Sequence, residues 1–204
     1  MDKPRINLII FDMGHVFIDF NWEDVINCFK KLKPNHTIDF IEIMNYLSSL
    51  GYEAGKIDTA EFLASLNQKA GLNLSLEEFT LIWNYSFAEN IEMAELMSQL
   101  KQKLPLYLLS NTNENHFTYL ENTFKVSRHF DELVLSYEVG YVKPEPEIYL
   151  ETLKRANHPA QNCLFIDDLP QNIEAARQLG INTILFEGCQ KLKDSLAEYN
   201  LNAV

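Results

Sequence analysis

Residues 6–20 read INLIIFDMGHVFIDF. The run 6–11 is apolar apart from Asn7, the pattern of a strand buried on both faces of a sheet. It stops at Asp12, and Gly14 and His15 follow before the chain turns apolar again. An aspartate in that position is either a turn former closing the strand or a nucleophile held at the rim of a sheet. The rest of the chain has to decide between them.

Short apolar segments of the same form recur at 104–109 (LPLYLL), 132–136 (ELVLS), 163–166 (CLFI) and 182–186 (NTILF). Between them lie ENHFTYLENTF, PEIYLETLKRAN and PQNIEAARQLG, whose apolar residues follow helical spacing; the last ends on Gly180, suited to the left-handed position after a helix. Strand and helix alternating at these intervals predict an α/β fold, a doubly wound parallel sheet with helices on both faces.

The interval 21–88 contains no strand pattern. Its apolar residues recur at three and four: Val25, Ile26, Phe29; Phe40, Ile43, Met44, Leu47; Phe62, Leu66; Phe79, Ile82, Trp83. Breaks fall at 33–35, 51–58 and 71–75, and Ser75 with Glu78 matches a capping box. About four helices are therefore expected as an insertion at 18–88, splitting a core of 1–17 and 89–204.

Composition narrows the class of protein. Of 204 residues 47% are hydrophobic and 23% charged, the balance of an ordinary globular chain. Lys and Arg number 17 against 29 Asp and Glu, a formal net charge of -12, which argues against nucleic acid or an anionic membrane surface as partner. Cys28, Cys163 and Cys189 have no paired spacing and read as reduced thiols. No signal peptide or membrane span is legible, so a cytoplasmic address is expected, as a monomer or homodimer.

In an open parallel sheet, ligands bind beyond the carboxyl ends of the strands. The residues there are Asp12 after the first strand, Ser110 and Asn111 after the second, and Asp167 and Asp168 after CLFI; Lys143 stands in the loop SYEVGYVKPEPEIY before a helix that Pro144 and Pro146 help to start. Taken singly, each is an ordinary turn residue, helix cap or solvated charge. Jointly they place a nucleophile, a hydroxyl, a cation and an acidic pair at one edge.

FDMGHVFIDF, LLSNTNENH, SYEVGYVKPEPEIY and FIDDLPQNIEAARQLG resemble, in order and spacing, the four motifs of the haloacid dehalogenase (HAD) superfamily. The insertion resembles the helical cap of the subgroup that carries it after the first motif. The F-D-x-G-x-V opening, the stretch Tyr52-Glu53-Ala54-Gly55-Lys56-Ile57 and Trp83-Asn84 are similar to glucose-1-phosphate phosphatase-like sugar phosphatases. The resemblance implies a Mg²⁺-dependent phosphatase acting on a small phosphometabolite, with a phosphoryl group carried on Asp12. It implies Asp12, Asp168 and the Gly14 carbonyl as metal ligands, with Asp167 acting through water. Lys143 and Ser110 would be catalytic and bind phosphate together with the Asn111 amide. Asn172 would orient Lys143 or the acidic pair, or simply cap its helix, and Tyr52, Glu53, Lys56, Trp83 and Asn84 would meet the substrate from the cap, with Trp83 equally suited to cap core. Asp19 falls at the hinge.

One position departs from that pattern. Most phosphatases of the superfamily carry a second aspartate two residues after the nucleophile to move the proton of the leaving group, and Gly14 stands there. His15 is a candidate acid and base by its chemistry. The departure leaves open a catalytically impaired phosphometabolite-binding or interaction protein, and the family also contains metal-independent 2-haloacid dehalogenases, although these lack the acidic pair.

Overall fold

A computed structural model describes residues 5–36 and 39–201. The chain opens with β1 (Leu8–Phe11) and a two-residue strand β2 (Ile18–Asp19), then α1 (Trp22–Leu32), α2 (Phe40–Ser49), α3 (Thr59–Ala70) and α4 (Leu76–Trp83). After β3 (Ala88–Glu89) come α5 (Ile91–Lys101), β4 (Leu106–Ser110), α6 (Glu114–Phe124), β5 (Glu132–Leu135), α7 (Ser136–Val139) and α8 (Pro146–Ala156). The chain closes with β6 (Cys163–Asp167), α9 (Pro170–Gln178), β7 (Asn182–Leu185) and α10 (Cys189–Ala197).

Five strands form one parallel sheet in the order β5-β4-β1-β6-β7, with β1 at its centre. Successive side chains of β1 leave on opposite faces, as the pleat requires. Ile9 and Phe11 join Met93, Leu96, Leu120 and Leu192 on one side, while Leu8 and Ile10 join Ile148, Tyr149, Ile173 and Ala176 on the other. Both faces of β1 are therefore sealed, which is why its sequence reads as a continuous apolar run rather than an alternation. Pro146 and Pro170 stand in the first turns of α8 and α9, where a missing N–H leaves no helix bond unmade, and Gly180 takes its left-handed φ of 82° just beyond α9.

The four inserted helices have a core of their own, in which Val25, Phe29, Ile43, Leu47, Phe62, Leu66, Phe79 and Ile82 are buried together. Capping boxes start α3 (Asp58 with Glu61) and α4 (Ser75 with Glu78), each worth about 1 kcal/mol to its helix. The antiparallel pair of β2 and β3 joins the insertion to the sheet, so the strand-free expectation fails at its margins. Ile18 is also buried in the sheet's core, beyond the expected boundary at 17. Ser136, expected to end a strand, instead starts α7.

Candidate active site

Strands β1, β4 and β6 run parallel and in register, so their carboxyl ends deliver Asp12, Ser110 and Asp167 to one edge. The loop before α8 brings Lys143 to the same edge. Its Nζ donates to Asp12 Oδ1 at 2.6 Å and to Asp167 Oδ2 at 2.7 Å, and all three residues are buried. Burial works to lower the pKa of this ammonium, but Asp12 and Asp167 outweigh it and hold Lys143 above the usual lysine value. Burial pushes the Asp12 carboxyl up to about 6; Lys143 opposes that shift and Asp167 adds to it. The cluster holds the Lys143 ammonium between two carboxyl groups.

Two asparagines hold this arrangement in place. Asn172, in the first turn of α9, donates from Nδ2 to both carboxylate oxygens of Asp167 at 3.0 and 3.1 Å, and the Leu169 N–H adds a bond of 2.8 Å. Asn111 grips the backbone of Lys143: Lys143 N donates to Asn111 Oδ1 at 2.7 Å, and Asn111 Nδ2 donates to Lys143 O at 2.9 Å. That use of the Asn111 side chain has no local sequence signal, since its partner lies 32 residues away. The Ser110 hydroxyl has only a long contact to Asn111 O at 3.4 Å, so it is available to another acceptor.

Asp12, Asp167 and Asp168 present one oxygen each within 4.8 Å of one another. Asp168 is only partly buried; desolvation and the neighbouring Asp167 raise its pKa, while His15 lowers it. Three carboxylates converging at this spacing offer the oxygen ligands a hard divalent cation takes. Asp167, already accepting from Lys143, Asn172 and Leu169, has the least capacity left for a direct ligand bond.

A cavity of about 360 Å³ lies between the insertion and this edge. Gly14, Ser110 and Asn111 form its floor, and Tyr52, Glu53, Lys56 and Trp83 line it from the insertion. Aromatic rings of Phe20, Trp22, Phe62 and Phe87 make up much of the remaining wall. Phe20, Trp22 and Phe87 flank the two junctions of the insertion, a grouping that only the joining of those junctions by β2 and β3 creates. His116 of α6 also lines it, its ring stacked on Trp83 at 5.6 Å and edge-on to Phe87 at 5.0 Å. Burial drives this imidazole down to about 3, against a hydrogen bond to the Trp83 backbone, and its Nε2 has no partner among the described residues.

Residues 6–180 match the haloacid dehalogenase-like hydrolase family. The chain belongs to that family. Among curated relatives of this HAD-like hydrolase, a D-ribitol-5-phosphate phosphatase of Bacteroides thetaiotaomicron is 29% identical over 188 residues, covering 87% of this chain and 90% of that one. A flavin mononucleotide hydrolase of Arabidopsis thaliana is 30% identical over 98% of this chain and 80% of its own. Among solved structures, a HAD family enzyme of Bacteroides thetaiotaomicron in complex with magnesium and inorganic phosphate superposes with a TM-score of 0.81 at 30% identity, over 92% of this chain and 98% of that one.

Two of the expected residues, Asn84 and His15, are not part of the cavity lining of this HAD-like hydrolase. Asn84 is buried away from the cavity wall; its Nδ2 donates to Thr80 O at 2.9 Å and to Asn115 Oδ1 at 2.8 Å, and Asn115 donates in turn to Thr80 Oγ1. It ties α4 to α6. His15 adopts a left-handed φ of 54° and lays its ring on Phe20 with centroids 4.2 Å apart, outside the cavity lining. Trp83 serves both readings, as a cavity wall and as a ring stacked on Phe79 in the insertion's core. No helix among the described residues is long and apolar enough to cross a membrane.

Proposed function

We propose that this HAD-like hydrolase is a Mg²⁺-dependent phosphatase of a small phosphorylated metabolite, a sugar or polyol phosphate in the first instance, and that residues 18–88 act as the cap over its site. The observation that carries the reading is the buried contact of Lys143 with Asp12: a carboxylate nucleophile and, 2.6 Å away, the cation that offsets its repulsion from a phosphate dianion. The ribitol-phosphate phosphatase and the magnesium- and phosphate-bound relative support it.

Asp12 and Asp168 with the Gly14 carbonyl would hold Mg²⁺, Asp167 acting through water. The ion supplies positive charge against the phosphate when bound. Asp12 attacks phosphorus and takes the phosphoryl group. Lys143 bridges Asp12 and the transferred group as a fixed point charge, and Asn111 fixes that charge by holding the Lys143 backbone. Ser110 donates its hydroxyl, and Asn111 its backbone N–H, to phosphoryl oxygens. Water then releases phosphate from Asp12. The aromatic walls close over the carbon skeleton of the leaving group and exclude bulk water.

A panel of phosphometabolites assayed for phosphate release tests this. Release that requires Mg²⁺ and disappears in Asp12→Asn is expected. Phosphate release unaffected by a chelator would overturn the Mg²⁺ requirement, and no release from any substrate would leave the dehalogenase-type reaction or a binding module.

A further inference from the structure

An alkoxide leaving group needs a proton as the ester bond breaks. The strand-end cluster has none to give: Asp12 is the nucleophile, and Lys143 is committed to two carboxylates. Among the described residues two carboxylates line the cavity, Glu53 and Glu145, together with Gly14, Ser110 and Asn111 from the strand-end edge. Glu145 is engaged, its Oε2 accepting from Val142 N at 3.1 Å. The Glu53 carboxylate makes no hydrogen bond or ion pair among the described residues.

The turn that carries Glu53 is locked in position. Gly55 takes φ 64°, and a Cβ there would collide with the carbonyl oxygen of Tyr137, so the turn lies flat on α7. Tyr52 anchors it from behind, stacked on Phe62 at 4.2 Å with its hydroxyl 2.8 Å from Thr59 Oγ1. Glu53 is exposed where it lines the cavity, yet desolvation still pushes its carboxyl above the usual range, with Lys143 acting in the opposite direction. Other charged or titratable groups around the turn are Lys56 and Asp58 beside it, Tyr137 and Glu138 on α7, Glu145 before α8, and Glu114 with the neutral His116 on α6.

We propose that Glu53 is the general acid and base of the reaction, reaching from the insertion to the place where Gly14 offers no side chain. The proposal rests on the phosphatase reading above. In the first half, the Asp12 carboxylate forms a bond to phosphorus, the bond from phosphorus to the ester oxygen breaks, and protonated Glu53 gives its proton to that oxygen, leaving as the alcohol. In the second half, Glu53 carboxylate takes a proton from the water that attacks phosphorus, and Asp12 leaves as carboxylate with free phosphate. Glu53 ends protonated, as it began.

The test compares wild type and Glu53→Gln with Mg²⁺ on p-nitrophenyl phosphate, whose leaving group needs no proton, and on phenyl phosphate, whose more basic one does. In Glu53→Gln, kcat/KM for phenyl phosphate should fall by roughly 10² to 10⁴, while that for p-nitrophenyl phosphate falls less than about tenfold. The fall of wild-type kcat/KM for phenyl phosphate at alkaline pH should also be lost. Equal losses on both esters, or a pH profile unchanged by the substitution, overturn the assignment while leaving the phosphatase reading standing. Turnover that survives Asp12→Asn, or a wild type inactive on both esters, overturns the two together. Glu53→Asp should recover part of the activity on phenyl phosphate, which a purely structural role would not require.

Discussion

The side chain of Asn111 forms two hydrogen bonds with the backbone of Lys143, accepting from its N–H at 2.7 Å and donating to its carbonyl at 2.9 Å. The strand-end edge is built across two loops by this pair, because Lys143 sits on a segment with no strand to hold it. Asn111→Ala removes both bonds, each worth about 0.5–1.5 kcal/mol net. A loss of about 1–3 kcal/mol in a urea titration and a fall in kcat larger than any change in KM are expected. Unchanged kcat would show that Lys143 is positioned without it.

Asp168 is the partly exposed member of the acidic cluster, and the cluster's affinity for a cation is readable without turnover. A ligand that binds only the folded state at a hundred times its Kd stabilises by about 2.7 kcal/mol. The wild type should therefore melt higher with millimolar Mg²⁺ than with a chelator, and Asp168→Asn should lose most of that difference. Equal Mg²⁺ shifts in the two proteins would exclude Asp168 as a ligand.

Gly55 combines a left-handed φ with a contact against the Tyr137 carbonyl. Gly55→Ala meets both obstacles and should destabilise by about 1–3 kcal/mol or more, lifting the turn off α7 and lowering activity with it. A wild-type melting temperature in this variant would contradict the close approach.

His116 sets a pH dependence. Its pKa is near 3 folded, while an unfolded imidazole titrates near 6.5, so between those values the unfolded chain binds more protons. Stability from this group is full above about 6.5 and declines as pH falls toward 3, by up to about 1.4 kcal/mol per pH unit. His116→Gln should flatten the curve of unfolding free energy against pH in that window relative to wild type. Parallel curves would show that His116 takes up protons alike in the folded and unfolded states.

Legibility followed locality. The sheet strands and their helices stand out because two-sided burial and helical spacing are written in consecutive residues. α5 has the same kind of record in Met93, Leu96, Met97 and Leu100, all buried, although no motif draws attention to it. β2 and β3 have two residues each, too few to show alternation, and exist only because the ends of the insertion meet. Ser136 looks like a strand residue by its neighbours but bonds to both backbone groups of Thr112, a contact 24 residues away.

The sequence by itself determined the parallel sheet, the helical insertion and the residues delivered to the strand ends, Asp12, Ser110, Asp167 and Asp168, since each depends on patterns within about ten neighbouring residues. Only the tertiary structure decided where side chains point. It turned Asn84 toward Asn115 and His15 onto Phe20, spent the Asn111 side chain on Lys143, and left Glu53 lining a cavity with its carboxylate unpaired among the described residues. Those outcomes depend on partners brought close by folding, and a short stretch of sequence carries no record of what will pack against it.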